Sequence, residues 1–436
     1  MKGHDAVIAA GRPPVTQVSR MNGSSSLKGL GYLLEQFPKT TQTFVVREIE
    51  ALRAIGGTFP IVSVRRPDGE PAQDYASAVL KGIHYLPKDP RKPEKNERWQ
   101  KLLKTYKDHP EQRRMHEAIL TAEWFQQLAV RHVHCHFAGI AARTALLMKR
   151  HYGMPYSVTV HANDVFLHGA EPPLSLDDII EEASFVVTET DFMARILRQR
   201  FPAIGRRVYR VHNGISLPPP PERTHTGARR GHRVVAVGRY IEKKGFEDLI
   251  YACAALSDLD FRCSIIGFGP LEPYLRKKIV SLGLSERVEL TGPRTLSQIF
   301  SALHDADVFV LPSVQARDGG MDNLPTVLME AMAMQLPVVS TRTAGIPEMV
   351  VDGETGLLVP ERNPAALATA VRALLSDPAR ARQMAIAGRS YAERRFDRRI
   401  TTKALLRLFE AALTVRGSAA VSQRAEAVKK PTNKSL

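Results

Sequence analysis

Short apolar runs separated by amphipathic stretches recur along this chain, stop at a proline-rich interval and then begin again. Residues 27–34, 59–64, 130–137, 156–161 and 185–190 have the length and apolar density of buried strands, with helical patterning between several of them. The alternation resumes with 234–237, 263–266, 288–290, 308–311, 337–340 and 356–359. Strands that alternate with helices build a parallel sheet covered on both faces, so each half reads as an α/β domain. The interval 217–232 carries prolines at 218–221 followed by polar and basic residues, the composition of a stiff, exposed linker. At 436 residues the chain is long enough for two cores.

The organisation this implies is a disordered leader over 1–26, an N-terminal domain over 27–216, the linker 217–232 and a C-terminal domain over 233–395. A helix over 396–416 is expected to pack back towards the N-terminal domain, followed by a disordered basic tail over 417–436. The net charge of +16 narrows the partners to nucleic acid, an anionic membrane surface or phosphorylated small molecules. Zinc-finger spacing, RNA-recognition aromatics and a basic region before heptads are missing from the sequence, so nucleic acid is set aside. Cys135, Cys253 and Cys263 are odd in number and lie in apolar runs, which points to reduced core thiols and a cytoplasmic protein. No apolar run reaches the length of a membrane span and the first residues lack a signal-peptide core, so any membrane contact would be peripheral. The Lys-, Arg-, Glu- and Pro-rich stretch 87–114 reads as a solvated helical excursion, with a basic face for lipid headgroups as the alternative.

In open α/β sheets, ligands bind beyond the carboxyl ends of the strands, so chemistry is sought just after each apolar run. After 234–237 come Gly238, Arg239 and Lys244-Gly245 before a helix starting near Phe246, and two cations beside a helix amino end suit a diphosphate. Gly267 and Gly269 follow 263–266 and allow close backbone approach. Further on, Gly319-Gly320 and Asp322-Asn323-Leu324 precede a helix starting near Pro325, with Thr326 and Glu330 in it. On a helical rise Asp322 and Glu330 would lie about 12 Å apart, enough to touch both ends of a sugar diphosphate. The bland alternative makes Asp322 a helix cap and Glu330 a surface residue. In the first half, His161 and Asp164 follow the run 156–161, and the turn Lys39-Thr40-Thr41-Gln42 opens a helix near Thr43 whose amides would line the opposite wall. His132, His134 and His136 share one strand face, but without a second ligand cluster their spacing suits an exposed strand end better than a metal site. Asp305 and Asp307 imitate a metal-binding pair and read as a structural turn.

Taken in order, Gly238-Arg239, Lys244-Gly245, Ile266-Gly267-Phe268-Gly269-Pro270, Leu290-Thr291-Gly292-Pro293, Leu311-Pro312-Ser313, Leu324-Pro325 with Glu330-Ala331-Met332, and Ala344-Gly345-Ile346-Pro347-Glu348 resemble the family 4 retaining glycosyltransferases. Phe37-Pro38-Lys39 through Phe44, Arg47-Glu48-Ile49 and His134-Cys135-His136-Phe137 are similar to the exopolysaccharide and colanic-acid branch of that family. The resemblance covers about 27–415 and implies a GT-B fold, two facing Rossmann-like domains with a deep cleft between them.

It further implies that Arg239 and Lys244 hold a donor diphosphate, that Glu330 takes the ribose, and that Asp322 with the backbone of Asn323, Leu324 and Thr326 meets the transferred sugar. Gly238, Gly267 and Gly269 would line the donor and Arg294 the base, while His161 would stand beside the reacting sugar. Thr41, Thr43, His136 and Asp164 would face the acceptor side. The implied reaction is metal-independent, cofactor-free transfer of a hexose-type sugar, with retention, from a UDP- or GDP-linked donor to a lipid-linked or oligosaccharide acceptor. That chemistry would occur in the cytoplasm or at the inner membrane face. Two features depart from the family pattern: Asp322 stands where Glu is usual, and the amino-terminal Gly-Gly phosphate loop is missing, its place taken by the Thr40–Thr43 turn. The alternatives are a hydrolysing nucleotide-sugar epimerase of the same fold and a non-catalytic sugar-nucleotide-binding subunit.

Overall fold

The computed structural model describes residues 27–39, 42–67, 82–88, 97–167, 174–221 and 231–428, with side chains to 414 in the last stretch. Thr41, the leader, most of the linker and the last eight residues of the chain fall outside them.

The first sheet holds seven parallel strands: β1 (Leu30–Gln36), β2 (Ile61–Arg65), β3 (Ile83–Tyr85), β4 (His132–His136), β5 (Tyr156–Val160), β6 (Val186–Thr188) and β7 (Val208–Arg210). They run in the order β3-β2-β1-β4-β5-β6-β7. The second sheet holds β8 (His232–Val237), β9 (Phe261–Ile266), β10 (Val288–Leu290), β11 (Val308–Leu311), β12 (Val338–Thr341) and β13 (Leu357–Val359), in the order β10-β9-β8-β11-β12-β13. Every apolar run read as a strand forms one, within a few residues at the ends. The edge strands β3 and β7 were not read, because three residues carry no periodicity and Tyr209 and Arg210 face solvent.

In both sheets the strand order reverses once, between β1 and β4 and between β8 and β11, and at such a switch point the two exit loops part to leave a crevice. The C-terminal lobe packs its helices into one apolar core, whereas the two faces of the N-terminal sheet carry separate cores. One of these is completed from the far end of the chain. Leu405, Phe409 and Leu413 of the helix Arg398–Val428 pack with Tyr32, Phe37, Ile49 and Phe185. That helix runs to Val428, so residues 417–428 are helical where a disordered tail was expected; alanines and polar straight-chain residues there carry good helix propensity. The chain therefore crosses between lobes twice, and the crossings are tied together by an Ile215–Asp397 bridge. A side-chain carbon on Gly214 would meet Thr401 Oγ1 at 2.3 Å, so only glycine permits the approach.

Candidate active site

Three strand exits of the C-terminal lobe are brought together by glycines. A Cβ on Gly267 would lie 1.8 Å from the carbonyl oxygen of Gly238, and one on Gly245, at φ 65°, would lie 1.8 Å from that of Pro312. The loops after β8, β9 and β11 thus touch backbone to backbone, and Gly269 is pressed against Tyr240 in the same way. Lys244 Nζ reaches Asp322 Oδ2 at 2.6 Å and Lys243 Nζ lies 3.6 Å from Oδ1, while Ser313 Oγ donates to Oδ2 at 3.1 Å. Burial raises the Asp322 pKa, but the two lysines and the serine outweigh it and hold the carboxyl below its ordinary range. Lys243 is pushed down, first by burial and then by Lys244 and Arg239, against the pull of Asp322. Arg239 is exposed at the rim of this cluster, and the helix Thr326–Ala333 opens beside it.

The opposing wall comes from the N-terminal lobe. His161 leaves β5, and its backbone N–H donates to Asp164 Oδ2 at 2.8 Å, which fixes the start of the short helix Ala162–Phe166. The ring is packed by Phe137 at 4.4 Å, Phe44 at 4.9 Å and His136 at 5.8 Å between centroids. Its Nδ1 meets Glu189 Oε1, and its Nε2 is buried without a hydrogen-bond partner among the described residues. Burial lowers the His161 pKa, yet Glu189, then Asp164 and Glu48, raise it on balance above the ordinary value. Glu189 moves the opposite way: burial raises it, and His161, Asn323 and Asn213 bring it below the usual carboxylate range.

The two walls are in contact. Asn323 Nδ2 donates to Glu189 Oε2 at 2.8 Å and Thr190 Oγ1 donates to Asn323 Oδ1 at 2.7 Å. Lys243 Nζ donates to Asn163 Oδ1 at 3.4 Å. Glu348 accepts from the backbone N–H groups of Asp191 and Phe192, capping the helix Asp191–Arg200 from the other lobe. Arg47 Nη2 and Glu330 Oε1 form a buried ion pair at 2.7 Å.

These positions revise several expectations. Glu330 is not a surface residue: it is buried and paired with Arg47 from the helix Thr43–Ala54. Asp322 caps no helix: it precedes the helix in an irregular loop, so the 12 Å helical spacing to Glu330 does not apply. Pro325 takes the cap position and not the first helical one. Leu324 is buried in the core of the C-terminal lobe, Thr326 is half-buried at the helix start, and Arg294 is exposed past β10. Thr43 begins its helix as read.

Sequence reasoning missed Lys243, Asn213, Thr190 and Glu189. The rule that chemistry follows strands points to Glu189, which stands directly after β6, and was not applied there.

Residues 41–217 match the description Glycosyltransferase Family 4 and residues 231–377 match Glycosyl transferases group 1. The α-D-kanosaminyltransferase of Streptomyces kanamyceticus is 30% identical over 277 residues, covering 58% of this chain and 70% of that one. The chain belongs to the family 4 glycosyltransferases. Another relative, the amylovoran biosynthesis glycosyltransferase AmsK of Erwinia amylovora, is 38% identical over 180 residues, 41% of this chain and 44% of AmsK. Matches of this higher identity, 38–45%, span only 34–44% of the relatives' own lengths. The solved structure of a glycosyltransferase from Rickettsia africae superposes with a TM-score of 0.69 at 17% identity, over 88% of this chain and 99% of that one, and places the two lobes in the GT-B fold.

In this family 4 glycosyltransferase the histidine row of β4 is buried, not an exposed strand end, because the helix Arg398–Val428 covers it with Phe409. Ligand atoms of Glu48, His134 and His136 come within 4.8 Å of one another. Each already has hydrogen-bond partners: His134 spends both nitrogens on Ser157 and Thr159, and His136 Nε2 and the Tyr32 hydroxyl both meet Glu48 Oε1. Burial, and then His136, His132 and His161, push the His134 pKa well below the ordinary value, keeping it neutral. No helix among the described residues is long and apolar enough to cross a membrane.

Proposed function

We propose that this protein is a retaining glycosyltransferase that moves a hexose-type sugar from a UDP- or GDP-linked donor to a glycan acceptor, lipid-linked, in surface polysaccharide synthesis. The observation that carries the reading is the convergence of Lys243, Lys244 and Arg239 on the crevice around one buried carboxylate, Asp322. Three cations against one anion leave about two positive charges, a match for the two of a sugar nucleotide's diphosphate. The amino end of Thr326–Ala333 adds backbone donors of the same sign. Lys244 has three donors and gives one to Asp322, so it can be held in place and still contact phosphate.

In this reading, charge that develops on the departing diphosphate is absorbed by groups already oriented, and the acceptor hydroxyl passes its proton to the leaving oxygen on the same face of the sugar. Asp322 suits a binding role better than a nucleophilic one, since both its oxygens are engaged by cations and its pKa is low. Kinship with the amylovoran enzyme supports the polysaccharide setting, and the charge of +16 suits an acceptor carried on an anionic membrane.

The test pairs product stereochemistry with one variant. Lys244→Ala is expected to lower kcat on the order of 100-fold with a much smaller rise in donor KM. Proton NMR of the product should show the donor's anomeric configuration. Inversion would end the retention proposal, and an unchanged kcat would end the diphosphate role. Release of a free, epimerised sugar from donor alone would favour the epimerase alternative.

A further inference from the structure

Glu189 occupies an unusual position for a carboxylate. It is buried where the lobes meet, and its two oxygens take three donors from three segments: His161 Nδ1 from the β5 exit, Asn213 Nδ2 at 3.3 Å from the irregular chain after β7, and Asn323 Nδ2 at 2.8 Å from the C-terminal lobe. A nitrogen facing a carboxylate carries the proton, so Nδ1 is committed and the free end of the ring is Nε2. That atom is buried and without a partner among the described residues, and a polar atom left so is explained when a ligand supplies the missing bond. Packing by Phe137 and Phe44 stops the ring from turning away.

We propose that Glu189 is a positioning residue: it locks the His161 ring so that Nε2–H is presented to a hydroxyl of the sugar being transferred, and Asn323 makes that presentation depend on the lobes being together. The inference rests on the glycosyl-transfer reading above. The groups facing His161 act in both directions. Glu189, Asp164 and Glu48 favour the charged ring, whereas burial opposes it and the neighbouring His134 and His136 lend it no negative charge. The balance is upward, so the ring keeps its second proton to higher pH than an ordinary histidine does, and while it is held Nε2 is a donor. As pH rises through the folded value, Nε2 loses its proton and the donor disappears.

The test is the pH profile of kcat in Glu189→Gln and Glu189→Asp. In Glu189→Gln burial is no longer offset by the partner's charge. The alkaline limb should then move to lower pH by about one unit or more, with kcat at pH 8 down about tenfold and donor KM changed by less than about threefold. Glu189→Asp keeps the charge and should keep the limb near its wild-type position. If both variants lose activity equally at all pH values with the limb unmoved, Glu189 is merely structural and the proposal fails. A ring-nitrogen NMR titration of the wild-type protein, with His161→Gln for assignment, does not depend on the Glu189 variants folding. His161 should titrate above the ordinary value of about 6.5, and a ring already neutral at pH 6 overturns the proposal. A wild-type protein that transfers sugar from no nucleotide donor counts against the enzyme reading, while the same titration still decides whether Glu189 sets the charge of His161.

Discussion

At the scale of single residues, burial and partners set charge in opposite senses within a small volume. His212 packs on Phe396 at 5.1 Å and its Nδ1–H donates to the Glu189 carbonyl at 2.7 Å; burial first, then Arg210, pushes its pKa down to about 4. The unfolded chain, at about 6.5, takes up this proton first, so the group's contribution is complete above that value and is lost as pH falls towards 4. The loss approaches roughly 3 kcal/mol per site. His161 has the reverse sign, with stability present at low pH and lost as pH rises through its raised folded value. Replacing His212 with Asn, which keeps a donor towards the carbonyl, should flatten the fall in denaturant stability between about pH 6.5 and 4 by this share. An unaltered slope would mean that His212 is hydrated in the folded protein. Lys244 and Asp322 are legible in the sequence because each follows a strand exit and a glycine turn. Their mutual ion pair is not, since the two stand 78 positions apart in the chain.

At the scale of elements, the helix Arg398–Val428 does most to connect distant parts of the sequence. The sequence reading sends it back towards the N-terminal domain without saying which face packs; Phe409 is fully buried, edge-on to His134 at 4.9 Å and to Tyr32 at 6.1 Å. The helix therefore turns the β4 histidines from an exposed edge into a core lining, and the N-terminal lobe is incomplete without it. Phe409→Ala should cost the N-terminal lobe about 3–5 kcal/mol in chemical unfolding, against about 0.5 kcal/mol or less for Ile400→Ala on the exposed side of the same helix. Equal effects at the two positions would show that the helix is held by its connection and not by this face. The helix Thr326–Ala333 gives the complementary case: its start was legible within a residue from Pro325, but the path of the loop before it, which aims Asp322, was not, and a helical rise taken across that loop does not hold.

At the scale of the whole molecule, the Arg47–Glu330 pair spans the lobes with both side chains under a tenth exposed. Removing one member of such a pair strands the other charge, which is relieved by hydration or, for Glu330, by taking up a proton, and parting of the lobes is one route to that hydration. Arg47→Ala should accordingly raise the radius of gyration measured by X-ray scattering, with the unfolding midpoint of each lobe little changed. A scattering profile identical to wild type together with a large stability loss would make the pair a plain support.

The sequence by itself determined the two α/β lobes, their strands apart from the edge strands β3 and β7, and the glycines and cations at the strand exits, because these depend on local periodicity and on what a single strand exit can hold. Which groups face each other across the crevice was decided only by tertiary structure. Glu189 against His161 and Asn323, Glu348 capping a helix of the other lobe, and Arg47 over Glu330 are pairings of residues far apart in the chain, fixed by how two separately folded sheets are pressed together.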